Sequence, residues 1–251
     1  MHIDTYLRVS LTLSLFFTGH YLNAQNPVTP PDPYGNMLIN YIRTWDAAAP
    51  ESNANALINR PLKDVKQATQ YIDGIGRPLQ IVVKQGSMAT GNSASDLVSP
   101  ILYDAYSREQ YKYLSFASTE NSGMFKTNPF QQQVSFYNVQ LAGQPGETNV
   151  GPNSLNWAYS KTNFEASPLS RPEKMLSPGT NWVGSNNGGR GIESKYWLNT
   201  PIDGSMRVWT VSNGGLGNFG SYSSPSSYNP GELLKSVSVD EHGKQVFEYK
   251  T

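Results

Sequence analysis

Apolar residues along the chain come in short bursts separated by clusters of Gly, Pro, Asn and Ser, and few windows hold them at helical spacing for long. "LQIVV" (79–83), "ILYDAY" (101–106), "QYKYLSF" (110–116), "QQVSFYNVQ" (132–140), "SKYWLN" (194–199), "MRVWTV" (206–211) and "KSVSV" (235–239) are rich in β-branched and aromatic residues and predict strands. "NMLINYIRTW" (36–45) is the best helix candidate, although its Tyr, Ile and Trp suit a strand equally. "NANALINRPLKDVKQATQ" (53–70) allows at most a short turn of helix before Pro61. The fold class expected is mainly β: antiparallel hairpins forming a sheet, a sandwich or the start of a β-shell, with little helix. Fifteen Tyr, nine Phe and five Trp supply large apolar surfaces with polar tips, which suits half-buried sheet faces.

One turn pattern recurs between these bursts. In "YIDGIGRP", Asp73 can accept backbone N–H bonds, Gly74 and Gly76 can take positive φ without steric cost, and Arg77 begins the return strand. Thirty-one residues later Asp104 and Arg108 stand at the same separation of four, with Tyr103 directly before the acid. Asp and Arg at the two ends of such a turn lie close enough to pair and fix register, for a few tenths of a kcal/mol where exposed. Two looser copies follow: Arg171 after a Ser-Pro-Leu-Ser turn, and Asp240 with Gly243 and Lys244, where Lys replaces Arg at the offset of four. Turns 73–77 and 104–108 are expected at hairpin tips.

Charge and composition narrow the chemistry. The 251 residues carry 19 Lys plus Arg and 19 Asp plus Glu, so no net field steers the chain toward nucleic acid or an anionic membrane. With no Cys there is no disulfide framework, thiol nucleophile or Cys-based zinc site. Of three His, only His242 lies beyond the first 24 residues, so a Ser-His-Asp triad would have to be built around it. Those first 24 residues contain the apolar run "LRVSLTLSLFF", of signal-peptide length and too short to span a bilayer, followed by small residues for cleavage after Ala24. The organisation expected is a signal peptide over 1–24, a flexible leader over 25–35, a β-rich domain over 36–232 and a further repeat beginning over 233–251. The exported form starts at Gln25, and no transmembrane segment is expected.

Taken in order, "YIDGIGRPLQ", "DLVSPILYDAYSREQYKYL" and "NFEASPLSRPEKMLSPGTNW" resemble the N-terminal domain of unknown function that precedes the repeat core of secreted RHS, or YD-repeat, proteins. The resemblance covers roughly residues 36–251. It implies successive hairpins that wind into a large β-shell, often around a C-terminal toxin or other effector, with the downstream repeat core of the same polypeptide as partner. A non-enzymatic role with no cofactor is expected, from the absence of Cys, the single His beyond residue 24 and the missing helix after "GLGNFG". The sequence departs from the pattern at Ile72, which precedes Asp73 where Tyr is usual, Tyr71 falling on the opposite strand face. It departs again at Ser107, which replaces Gly and is expected to demand a different turn. The chain stops at Thr251, after the fourth motif, where such proteins usually continue; it is expected to be an N-terminal fragment or a shortened gene product.

Competing chemistry is weaker. "GLGNFG", with Gly215, Gly217 and Gly220, follows a strand like a dinucleotide fingerprint, but "SYSSPSSYNPG" cannot open the helix that would hold a pyrophosphate; a Gly/Ser loop is expected. "GSNNGGRG" with Arg190 reads as a second loop. A carboxylate-based glycosidase needs only two acids, yet Asp73, Asp104 and Asp240 are explained by their turns. The stronger alternative is a carbohydrate-binding β-module using Trp157, Trp182, Trp197 and Trp209, with a cell-surface glycan as ligand. It requires two or more Trp rings on one solvent face.

Overall fold

The computed structural model describes residues 26–89, 91, 93–141, 155–185 and 188–251. The signal peptide expected over 1–24 lies outside the described residues.

The first half builds a five-stranded antiparallel sheet from β1 (Asn40–Ala47), β2 (Val65–Ile72), β3 (Pro78–Ser87), β4 (Ser95–Pro100) and, after β5 (Tyr111–Tyr113), β6 (Phe116–Ala117), in the order β1-β2-β3-β4-β6. The first burst is thus a strand rather than a helix, and a 3-10 turn over Ala54–Asn59 is the only helical piece before Pro61 among the described residues. A second antiparallel sheet joins β5 to β7 (Tyr159–Phe164), β8 (Pro172–Leu176), β9 (Gly191–Leu198), β12 (Leu234–Val239) and β13 (Gln245–Lys250), in the order β13-β12-β9-β8-β7-β5. Here β12 pairs with β9, so residues 233–251 extend the sheet begun by β5 and leave β13 on its edge.

β10 (Arg207–Ser212) and β11 (Ser221–Ser227) form a separate hairpin between β9 and β12. Asn199 cinches its base: it bonds the Asn229 carbonyl, the Leu233 amide and carbonyl, and the Gly231 amide. The "GLGNFG" segment is the loop of this hairpin, and a strand follows it, which removes the dinucleotide reading. Leu216 and Phe219 at its tip are fully exposed, and residues 208–231 carry no charge.

"QQVSFYNVQ" departs from its expected strand. Pro129–Ser135 is an α-helix (α1) that runs on as a π-helical turn over Phe136–Gln140. Pro129 presets φ for a first helical turn, and Phe130, Gln133 and Phe136, three apart, bury one helical face. The helix serves both cores. Phe136 packs with Tyr71, Val82, Val98 and Phe116 of the first sheet, while Phe130 packs with Tyr113, Trp157, Tyr159 and Leu176 of the second. Burial of such large side chains stabilises by about 1.5–3 kcal/mol each. The leader expected to be flexible is anchored over its described part: Val28 donates its amide to the Tyr159 hydroxyl (3.0 Å), and Tyr34 packs on Phe125 and Phe130.

Candidate functional site: a ladder of arginine turns

The β2–β3 turn closes around one carboxylate. Asp73 Oδ1 accepts from the amides of Ile75 (3.0 Å) and Arg77 (2.8 Å), and Oδ2 accepts from Arg77 Nε (2.8 Å). The Asp73 amide donates to the Arg77 carbonyl and the Gly76 amide to the Asp73 carbonyl. Gly76 holds φ +90°, a value reserved for residues without a Cβ or with a compensating bond; Gly74 does not, so only one of the two glycines is required by its backbone. Tyr71, on the opposite strand face from Ile72, is buried and donates its hydroxyl to the Gly123 carbonyl.

The turn at 104–108 repeats this geometry. Asp104 Oδ1 accepts from the amides of Tyr106 (2.8 Å) and Arg108 (2.9 Å), and Oδ2 accepts from Arg108 Nε (2.8 Å). Ser107 occupies the place of Gly76 at φ +62°, so the replacement does not impose a different turn. It takes up the left-handed conformation at a cost of about 1–2 kcal/mol. Nor is this turn the tip of a hairpin within one sheet: it follows β4 of the first sheet and leads to β5 of the second. "ILYDAY" is therefore turn and irregular chain rather than strand, because its polar core, Asp104, turns the backbone to satisfy its own oxygens.

Between β7 and β8 the acid is Glu165, which sequence reasoning missed. Its carboxylate accepts from Arg171 Nε (3.0 Å to each oxygen), a second guanidinium nitrogen (2.9 Å) and the Ser167 hydroxyl (2.6 Å). Ser167 in turn accepts from the Leu169 amide, the bond Asp makes in the shorter turns, and Ser170 holds φ +49°. The signal was the aromatic-acid pair Phe164-Glu165, the counterpart of Tyr103-Asp104. The turn at 240–244 has the same local bonds: Asp240 Oδ1 accepts from the amides of His242 and Lys244 (2.8 Å each), with Gly243 at φ +84°. The structure places no Lys244–Asp240 ion pair there.

What the sequence did not show is that the first three turns interlock. Arg77 donates to the Ser107 hydroxyl (2.8 Å) and lies 4.7 Å above the Tyr103 ring. Arg108 donates to the Ser170 hydroxyl (3.2 Å) and lies 4.5 Å above the Phe164 ring. Arg171 lies 4.2 Å above the Tyr196 ring on β9. Arg77 and Arg108 thus each close their own turn through Nε and reach the next through a terminal nitrogen and the flat face, a division of labour that the planar guanidinium permits and an ammonium does not; Arg171 spends its terminal nitrogen on Glu165 and reaches onward by its face alone. Serine stands at the left-handed position where an arginine arrives, and glycine stands at Gly76 and Gly243 where none does.

Electrostatics follow the bonds. Burial raises the pKa of Asp73 and of Asp104, but the amide and guanidinium bonds from Arg77 and Arg108 outweigh it and hold both carboxyls below the usual range. Arg171, then Ser167, bring Glu165 down to about 2. The Lys244 amide chiefly lowers Asp240. These carboxylates are saturated acceptors of structural bonds.

The four Trp of the carbohydrate alternative do not form a platform. Trp157 is buried, and Trp182 is half-buried under the Arg190 guanidinium (4.7 Å), whose Nε donates to the Glu241 carbonyl. Trp197 and Trp209 are exposed but belong to different sheets. Residues 186 and 187 of the "GSNNGGRG" loop lie outside the described residues. Among the described residues no group of three or more His, Asp or Glu side chains is placed to hold a metal ion, and no helix is long and apolar enough to cross a membrane.

No curated protein and no solved structure matches the chain. One family model does, over residues 43–198, from within β1 to the last residue of β9. That span contains the three interlocked turns and Tyr196, and stops before the β10–β11 arm and the turn at 240–244. Since it covers more than half of the 251 residues, the chain belongs to the family described as Domain of unknown function (DUF6443).

Proposed function

We propose that this is a secreted, non-enzymatic scaffold domain that starts the winding of an RHS-type β-shell, its function residing in the architecture it nucleates. The observation that carries the reading is the arginine ladder: three acid-to-arginine turns in chain order, the first fastened to the second and the second to the third. A ladder of this kind extends by adding hairpins, and the second sheet ends in an antiparallel edge strand, β13, beside a turn of the same backbone design. Val246 and Phe247 on that strand are exposed, and Glu248 and Lys250 pair with each other, which leaves little net charge to repel an incoming strand.

In this reading the next hairpin of a Tyr-Asp repeat region pairs with β13, and the shell so begun surrounds an effector segment. Export follows from the N-terminal apolar run, with the exported form starting at Gln25. Hydrogen exchange on the chain with and without downstream repeats tests the first point: protection over 245–250 should rise when repeats follow. Equal protection in both would refute it. N-terminal sequencing of protein from the culture medium tests the second; a chain retaining Met1 to Ala24 would count against export by cleavage.

A further inference from the structure

Away from the ladder, an ammonium and a carboxylate are sealed inside the first sheet. The side chains of Lys126 and Asp96 are both 0 % exposed, with Lys126 Nζ 2.9 Å from Asp96 Oδ2. The same nitrogen lies 2.8 Å from Glu120 Oε2, whose side chain is 53 % exposed. Such a buried pair carries a desolvation cost that its own attraction only partly offsets.

Backbone contacts fix the three residues independently of their charges. The buried Gln80 side chain donates to the Lys126 carbonyl (2.8 Å) and accepts from the Lys126 amide (3.0 Å). Asp96 donates its amide to the Glu120 carbonyl and accepts at its own carbonyl from the Ser118 amide, 2.8 Å each. The two carboxylate oxygens differ in surroundings. Oδ1 accepts from the Gln85 amide (2.9 Å), whereas Oδ2 accepts from the Gly123 amide (2.7 Å) and from the ammonium. The nitrogen therefore lies within 2.9 Å of an oxygen of one carboxyl group and 2.8 Å of an oxygen of a second that can take its proton, the kind of placement that makes an intramolecular step effectively much faster than its bimolecular equivalent.

We infer that Lys126 and Asp96 condense into an intramolecular isopeptide bond, with Glu120 as the catalytic base. Glu120 takes a proton from the Lys126 ammonium and passes it to Oδ2 of Asp96, which leaves a neutral amine facing a neutral carboxyl group, and the nitrogen lone pair then attacks Cγ of Asp96. The Gln85 amide supports the charge that develops on Oδ1. A second proton from the nitrogen then passes through Glu120 to Oδ2, the Cγ–Oδ2 bond breaks, and one water leaves. An ammonium and a carboxylate become an amide and a water, and Glu120 ends as it began. No oxidant or second reactant is needed. The reaction runs once per molecule and replaces two buried charges by a neutral group that keeps the Gln85 bond, and the two side chains that condense are themselves 0 % exposed to the water that would reverse it. The product ties β4 to the segment after β6, a covalent staple in a chain that has no cysteine to make one.

Mass spectrometry of the folded full chain decides the matter. A proteolytic digest should contain one branched peptide joining Lys126 to Asp96, and the protein should weigh one water less than its sequence. Asp96→Asn should lose one ammonia instead, because the amide nitrogen is then the leaving group, and Lys126→Arg should lose nothing. Glu120→Gln, which keeps both reacting groups, should show less than a tenth of the wild-type cross-link in the same time. Wild-type protein that is folded by circular dichroism yet keeps its full sequence mass after prolonged incubation would overturn the inference. So would a water loss that tandem spectra place at any other residue pair.

Discussion

The turns at 104–108 and 240–244 have nearly the same backbone and different roles. In both, an aspartate Oδ1 gathers two amides and the residue before the return segment sits at positive φ. At 240–244 that residue is Gly243 and the basic residue is Lys244, and the turn's bond to a distant residue is one it receives, from Arg190 Nε at the Glu241 carbonyl. At 104–108 it is Ser107, held at an unfavourable φ, and the basic residue is Arg108, which reaches Ser170 sixty-two positions away. The difference teaches that the turn itself needs only the aspartate and a residue tolerant of positive φ. Arginine and serine are additions that turn an isolated bend into a joint between distant parts of the chain.

The largest break in this comparison should come from Arg108→Ala. It removes the bond to Asp104, the bond to Ser170 and the contact with Phe164 together, and should cost about 2–3 kcal/mol in urea unfolding. Lys244→Ala, at the matching position of a turn whose basic residue reaches no other turn, should stay within about 0.5 kcal/mol of wild type. Next in size is an exchange at the left-handed position. Ser107→Ala keeps the strain and loses the Arg77 bond, for about 1 kcal/mol of destabilisation, whereas Ser107→Gly relieves the strain as it loses the bond and should come within about 0.5 kcal/mol. Gly243→Ser, placed where no arginine arrives, should cost about 1 kcal/mol. Equal losses in Ser107→Ala and Ser107→Gly would show that the serine hydroxyl does not fasten the turns.

A smaller effect is expected from Arg77→Lys, about 0.5–1 kcal/mol, because an ammonium can satisfy Asp73 or Ser107 but not both while stacking on Tyr103. The most modest signal is a pH dependence. Glu165 has its pKa lowered from 4.5 to about 2 in the folded chain, so the unfolded chain binds the proton more readily. Its contribution is complete above about pH 4.5 and fades as pH falls toward 2. The stability gap between wild type and Glu165→Gln should therefore narrow across that window, and a gap that stays constant from pH 6 to 2 would separate Glu165 from the ladder.

What the sequence disclosed follows the range of the interactions involved. The Asp-to-Arg spacing of four was legible because those bonds are made within one turn, and the strands at 79–83, 194–199, 206–211 and 235–239 announce themselves by β-branched and aromatic content. The ladder was not legible, since its rungs join residues 30 and 62 positions apart and nothing local marks Ser107 or Ser170 as acceptors. In the sequence alone Ser107 reads as a disruption for that reason: a lone departure from glycine looks like a flaw until its distant partner is seen. The segment at 132–140 misled for the converse reason. Its apolar positions fit either period, and Pro129, three residues upstream, set the outcome. Lys126, Asp96 and Glu120 share no spacing that a reader of the chain could have recognised.

The ladder also has a direction, and direction bears on the order of assembly. Every rung is a donor on the earlier turn and an acceptor on the later one. In a chain that emerges N-terminus first, the turns at 73–77 and 104–108 can each close on their own aspartate at once and then wait with one arm of the arginine unoccupied. The arrival of the next turn occupies that arm, and the one just arrived becomes the waiting end. Contacts that span 62 residues would be slow to find in a chain released whole, because the long loop must close before it is rewarded. Laid down in sequence, the same contacts are met one at a time, and the growing sheet always presents a finished edge behind and a single open hand ahead.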